Sequence, residues 1–223
     1  MNPLVVRLAP EIEGRVRLGV LVLEGVKVSP SDPALALEVE ALGASFRSRF
    51  GGRASGEVPG AEAARALYKS LGLDPTKTRP SSEALLRRVL KGEPLHRINT
   101  LVDALNYSSL RQQLPYGLYD LDRIVPPIVL RFGSQEESYE GIRKGAVNVA
   151  GRPVLVDAAG SFGNPTSDSA RTQITLETRN ALVVLYAPSS RGPGEIEEAL
   201  RETGTTLSRF CGGTVGEVLI VPG

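Results

Sequence analysis

Asn99, Asp103 and Asn106 in the segment INTLVDALNY recur at i, i+4 and i+7, so a helix there carries all three on one narrow face. Leu101, Val102 and Leu105 surround them. A polar stripe in an apolar helix implies a lined cavity. Asp103, amid apolar neighbours, is the best candidate for a carboxylate with a perturbed pKa, and a buried hydrogen-bonding role competes with a catalytic one. The alternative is a surface helix whose Asn99 caps its N-terminus and whose Asp103 is solvated.

Other chemistries find little support. One histidine, His96, and one cysteine, Cys211, cannot supply the three protein ligands of a zinc site, and no dense run of carboxylates suggests calcium. A serine hydrolase needs a base beside its nucleophile, and no G-x-S-x-G elbow is present. The glycines of CGGTVG lack the lysine and following helix of a phosphate-binding loop and read as turns. Cys211 reads as a small packed residue, and no cofactor is expected.

The elements that must position these residues come in the order strands, helices, strands. LVVRL and VRLGVLVLEGVKV alternate, with Val16, Leu18, Val20 and Val22 on one face. Ser31, Asp32 and Pro33 start a helix running through PALALEVEALGASFRSRF. Helices follow in PGAEAARALYKSLG and PSSEALLRRVLKG, ended by Gly72 and Gly92; in the second, Leu85, Leu86, Val89 and Leu90 form a stripe while Arg87, Arg88 and Lys91 face away. After the Asn99 helix, Pro115 and Gly117 punctuate a turn. IVPPIVLRF, RPVLVDAAG, RTQITLET and NALVVLYAP read as strands, GSFGNPTSDS as a glycine-rich loop, GEIEEALRET as a short helix and GEVLIV as a last strand. That order argues for an α+β fold, mixed sheets with a helical middle segment, over a doubly wound sheet.

RINTLVDALNYSSL followed by LPYGLYDLDRI resembles the editing region, the B3/B4 domain, of the bacterial phenylalanyl-tRNA synthetase beta subunit, in which R-x-I-N-x-x-V-D-x-x-N-Y precedes a P-x-x-x-x-D turn. Asn99, Val102, Asp103, Asn106, Tyr107, Pro115 and Asp120 fall on matching positions. DPTKTRPSSEALLRRVLKGEPL and GSFGNPTSDSARTQITLETRNALVVLYAP look like the free-standing proteins that consist of this domain alone. The similar portions run from roughly residue 46 to residue 188, and the whole chain, 1–223, reads as a single B3/B4-like domain.

The resemblance implies an activity. In the synthetase this domain hydrolyses the ester joining a wrong amino acid, chiefly tyrosine, to the terminal adenosine of tRNA. Because the ester is already activated, the protein need only orient a water, hold the carbonyl and exclude the correct amino acid. Asn99, Asp103, Asn106 and Asp168 are the implied catalytic set, Asp168 standing where the family has a pocket glutamate. Arg79, Tyr107, Pro115, Tyr116, Gly117, Phe162, Gly163, Asn164, Arg171 and Thr172 are the implied substrate contacts. The amino acid would sit between the Asn99 helix and the Gly160–Ser169 loop. One departure is plain: the family's pocket histidine corresponds to Gly117, and His96 lies about twenty residues upstream. Structural roles compete throughout: Asp120 can serve a turn, the aromatics can pack in the core, and Asp168 and Arg171 can pair across the loop.

Composition frames these readings. The chain has 223 residues, 41% of them hydrophobic, enough for a core. It shows no signal-peptide pattern, no run of about 18 apolar residues, and no segment to supply an ATP-binding catalytic core, so a cytoplasmic protein that does not charge tRNA alone is expected. The formal charge of +1 hides a block from Arg47 to Arg97 in which eight arginines and three lysines stand against five acids. That block either contacts phosphates, as an RNA partner requires, or is a solvated helix face. Three functions follow: deacylation of mischarged tRNA in trans at its aminoacylated 3′ end, RNA binding without catalysis, and binding of an amino acid or small metabolite.

Overall fold

The computed structural model describes residues 4–143 and 145–222. Its centre is a four-stranded antiparallel sheet in the order β10(Thr214–Val221), β2(Val16–Glu24), β9(Asn180–Pro188), β3(Tyr116–Asp120). The alternation read in β2 works as expected. Val16, Leu18, Val20 and Val22 point into one core and Leu21 and Leu23 into another, so both faces of this sheet are covered.

One face carries helices. α4(Thr100–Gln112) and α5(Pro193–Cys211) pack on it through Leu101, Ala104, Leu105, Ile196, Leu200 and Leu207. α1(Pro33–Phe50) and α3(Ser81–Leu90) lie against α4, where Phe46, Leu86, Val89 and Leu110 form a smaller core. Local chemistry sets the helix ends. Asp32 accepts the Leu35 N–H at 2.9 Å with Pro33 in the first turn of α1. α3 ends in a Schellman pattern at Gly92, whose φ is 74°, with Glu93 N–H bonded to the Arg88 carbonyl.

The opposite face is covered by α2(Ala61–Ser70), through Leu67 and Tyr68, and by a second sheet in the order β1(Val6–Leu8), β4(Ile128–Phe132), β7(Pro153–Asp157), β8(Gly160–Gly163). β1 and β4 are parallel and the remaining pairs antiparallel. A separate hairpin joins β5(Ser138–Gly141) to β6(Gly145–Asn148). The α+β class with its helical middle is as expected.

Four local expectations are corrected. Gly117, read with Pro115 as punctuating a turn, lies within strand β3, paired with Val184. Gly160–Gly163, read as loop, is strand β8, because it pairs with β7 and buries Phe162. Residues 171–178, read as a strand, run irregularly: Thr178 spends its hydroxyl on the Asp120 carboxylate at 2.8 Å, and the Thr172 carbonyl accepts the Asp120 N–H. α5 continues eight residues beyond the stretch read as helical, because Leu207 and Cys211 extend its buried stripe past the weak helix formers Thr203–Thr206.

Candidate functional site

A cleft of about 250 Å³ opens between α1, the α3–α4 connection and α4. Leu35, Ala36, Val39 and Val89 make its apolar surface. Around them stand the carboxylates of Asp32, Glu40, Glu93 and Asp103, the cations Arg47 and Arg97, and His96 and Asn106. The helix at Asn99 therefore does present polar groups to a hollow, but two of the expected three. Asp103 and Asn106 line it. Asn99 is buried, and its Oδ1 caps α4 by accepting the Val102 N–H at 3.0 Å.

Asp103 is half-buried, and its Oδ1 accepts the Ile98 N–H at 3.0 Å. Burial pushes its pKa above the usual aspartate value, and the Ile98 N–H and the Arg97 charge offset only part of that shift. The carboxylate is thus held in place and made more basic. Such a group can orient a water and take its proton.

The remaining candidates lie elsewhere. Tyr116 faces the helical layer, buried, with its hydroxyl against Gln112 and Thr203; Tyr107 packs partly buried in the same core, and buried Pro115 gives its carbonyl to the Tyr186 N–H. Gly117 and Phe162 lie across the central sheet, on the face that Tyr119 shares. The Tyr119 ring fills that side. A Cβ on Gly117 would fall 2.2 Å from its hydroxyl, a Cβ on Gly163 would fall 2.4 Å from its ring, and Phe162 meets it edge-on at 4.9 Å. The Tyr119 hydroxyl lies 3.2 Å from that of Tyr186. Burial and the neighbouring Asp168 carboxylate hold Tyr119 well above the ordinary phenol range, so it stays protonated.

The 164–169 turn is built on the same side. Asn164 Oδ1 accepts the Thr166 and Ser167 N–H groups, Tyr68 and Tyr139 donate to the Pro165 and Ser167 carbonyls, and Thr172 is buried against Ser169. Arg171 pairs with Asp157 through two bonds of 3.0 and 2.8 Å, rather than across the loop with Asp168. The hollow beside this turn measures about 40 Å³, room for a few waters. The expected seat for an amino acid between the Asn99 helix and the Gly160–Ser169 segment is therefore corrected: the central sheet separates them.

Sequence reasoning missed the α1 wall of the cleft and four of the five buried tyrosines, 68, 119, 139 and 186. Spacing held one clue. Gly117 precedes Tyr119 by two on a strand, which puts a residue without a side chain beside a large ring. Arg79 lies in a third place, 3.6 Å from Glu83 at the edge of a groove near α2 and α3.

Fold and cleft together define an α+β protein whose helical layer holds a charged hollow. The family model of the B3/4 domain matches residues 63–205, more than half of the chain, and the chain belongs to that family. The matched span begins and ends later than the roughly 46–188 expected, and it excludes α1. A crystal structure of an N-terminal fragment of the phenylalanyl-tRNA synthetase beta-subunit from Pyrococcus horikoshii is similar to the chain, with a TM-score of 0.49 and 13% identity. The alignment covers 100% of this chain and 55% of that fragment, so the chain spans about half its length. No curated protein matches. Among the described residues no helix is long and apolar enough to cross a membrane.

Proposed function

We propose that this B3/4 domain hydrolyses the ester of mischarged aminoacyl-tRNA in trans, at the cleft between α1 and α4. The observation that carries this reading is the convergence of Asp103 and Asn106 with Glu40, Arg47 and His96 around an apolar floor. The amino-acid side chain enters against Leu35, Ala36 and Val39, and Glu40 pairs with the α-ammonium group. Asn106 donates to the carbonyl oxygen. Asp103 orients a water and takes its proton as the oxygen attacks the carbonyl carbon; the bond to the ribose oxygen breaks, and that oxygen recovers a proton from solvent. Asn99 acts through α4 by holding its first turn, which keeps Asp103 in register. A cytoplasmic site of action goes with this substrate, and aminoacylation is not part of it.

Deacylation of a panel of mischarged tRNAs tests this. Asp103→Asn is expected to lower kcat by roughly 10²-fold or more, the loss typical of a positioned general base, with folding intact by circular dichroism. Full activity in that variant sinks the proposal. A second reading, an RNA-binding module without catalysis, is favoured by the Tyr119 packing at Gly117 and Gly163, the region where the resemblance led us to expect substrate contacts. Tight tRNA binding with no turnover on any ester would select it.

A further inference from the structure

We infer that the open groove between residues 52–57, α2 and α3 docks the phosphodiester backbone of RNA. As a partner for the cleft it rests on the function proposed above; as a binding surface it stands on its own geometry.

The groove, a concavity of about 500 Å³, is lined by Arg53, Arg65, Arg79, Arg87 and Lys91, with Glu57 and Glu83 as its carboxylates. Both carboxylates are already engaged. Glu83, 1% exposed, accepts Arg65 Nε and Nη2 and the Ser55 hydroxyl, each at 2.8 Å, and Arg79 stands 3.6 Å away. Burial works against the Glu83 charge, but the Arg65 and Ser55 hydrogen bonds outweigh it and keep the carboxyl ionised below its usual range. Glu57 accepts the Ala54 N–H at 3.3 Å.

Three cations are left over. Arg53, Arg87 and Lys91 are exposed, and none is in an ion pair among the described residues. Like charges gathered in a concavity raise its potential and concentrate anions there. A Cβ on Gly56 would lie 2.2 Å from the Arg65 guanidinium, so that group packs directly over the turn on its way to Glu83.

An extended polyanion fits better than a small one, because the free cations come from two elements across an open trough. No aromatic side chain lines the groove, so contact would run through phosphates without base stacking and without sequence preference. The groove and the cleft lie on different faces of α3. The last turn of α3 gives Arg87 and Lys91 to the groove and Val89 to the cleft, and the end of α1 leads from Arg47 in the cleft to Arg53 in the groove. Because Val89 faces away from Arg87 and Lys91 on α3, the groove is a surface separate from the cleft.

The test is fluorescence anisotropy on the full chain with a labelled RNA hairpin bearing a single-stranded 3′ tail and no amino acid, titrated at several salt concentrations. Replacing Arg53, Arg87 and Lys91 together by Gln should weaken binding about tenfold or more at low salt. It should also flatten the slope of log K against log salt by roughly two, at about 0.7 per phosphate contact on a single strand. Lys27→Gln, outside the groove, should leave both unchanged. Equal affinity and slope in the triple variant, or equal competition by polyglutamate, overturns the inference. Because no ester is present, lost RNA affinity in the triple variant together with no turnover on any ester keeps the groove and removes the hydrolase. Unchanged RNA affinity removes the groove even where the wild-type chain turns esters over.

Discussion

The two faces of the central sheet use polar residues in opposite ways. On the helical side, Asp103 and Asn106 remain half-buried beside a hollow of about 250 Å³. On the other side, Tyr119, Tyr186 and Phe162 are fully buried, the side-chain space at Gly117 and Gly163 is taken by the Tyr119 ring, and about 40 Å³ remains by the nearby turn. Glycine next to tyrosine closes one face, whereas helices separated by an irregular connection leave the other open. The lesson is that polar residues gathered by similarity need not share a pocket. Packing density decides which of them a ligand reaches.

The sharpest way to break this contrast is to open the closed face. Tyr119→Ala should cost about 3–5 kcal/mol by removing a buried ring, measured by chemical denaturation. If that variant gains ester turnover while Asp103→Asn in the wild-type background loses none, the active face has been misassigned. Gly117→Ala should cost about 1–3 kcal/mol from overpacking against Tyr119. Combined with Tyr119→Ala it should cost less than the sum, because the clash has lost its second atom; strict additivity would deny the contact.

Smaller effects sharpen the open side. Asn99→Ala should destabilise by about 1 kcal/mol through loss of the α4 cap, and lower deacylation only as far as Asp103 loses its position. The pH dependence has a definite sign. Since burial raises the Asp103 pKa, hydrolysis should fall on acidification at a higher pH than an ordinary aspartate would give, and Asp103→Asn should abolish that limb of the rate profile.

Glu137 serves as the counterexample from a structural ion pair. The hydrogen bond from Arg131 lowers its pKa from 4.5 to about 2. Its stabilisation is therefore fully present above the ordinary glutamate value and is lost as the pH falls toward about 2. Glu137→Gln should remove that part of the acid dependence of stability without shifting the rate profile, which thermal melts across acidic pH would check.

Several features were legible from residue order because they are local. The Asp32 cap with Pro33, the Gly72 and Gly92 stops and the alternation of β2 each depend on neighbours a few residues away. The stripe of Asn99, Asp103 and Asn106 was legible as a stripe, while its division into one cap and two cleft residues was not, because both uses satisfy the same spacing. The strand reading of RTQITLET failed for a related reason. The alternation of Thr172, Ile174, Leu176 and Thr178 suits a strand, but Thr172 and Thr178 are drawn to Asp120 by hydrogen bonds across the chain. The β5–β6 hairpin, SYEG and GAVN, has too little apolar alternation to stand out.

Sequence alone therefore determined the start of α1, the stops of α2 and α3, the two-faced strand, the α+β order and the basic block around α3, features legible from residue order. The B3/4 family, too, was carried by motif order. Only the tertiary structure decided that α1 walls the cleft, that the sheet divides α4 from the 164–169 turn, and that Tyr119 fills the space beside Gly117. Those outcomes depend on which surfaces meet, and burial, not spacing, assigns each polar group to solvent, to a partner or to a hollow.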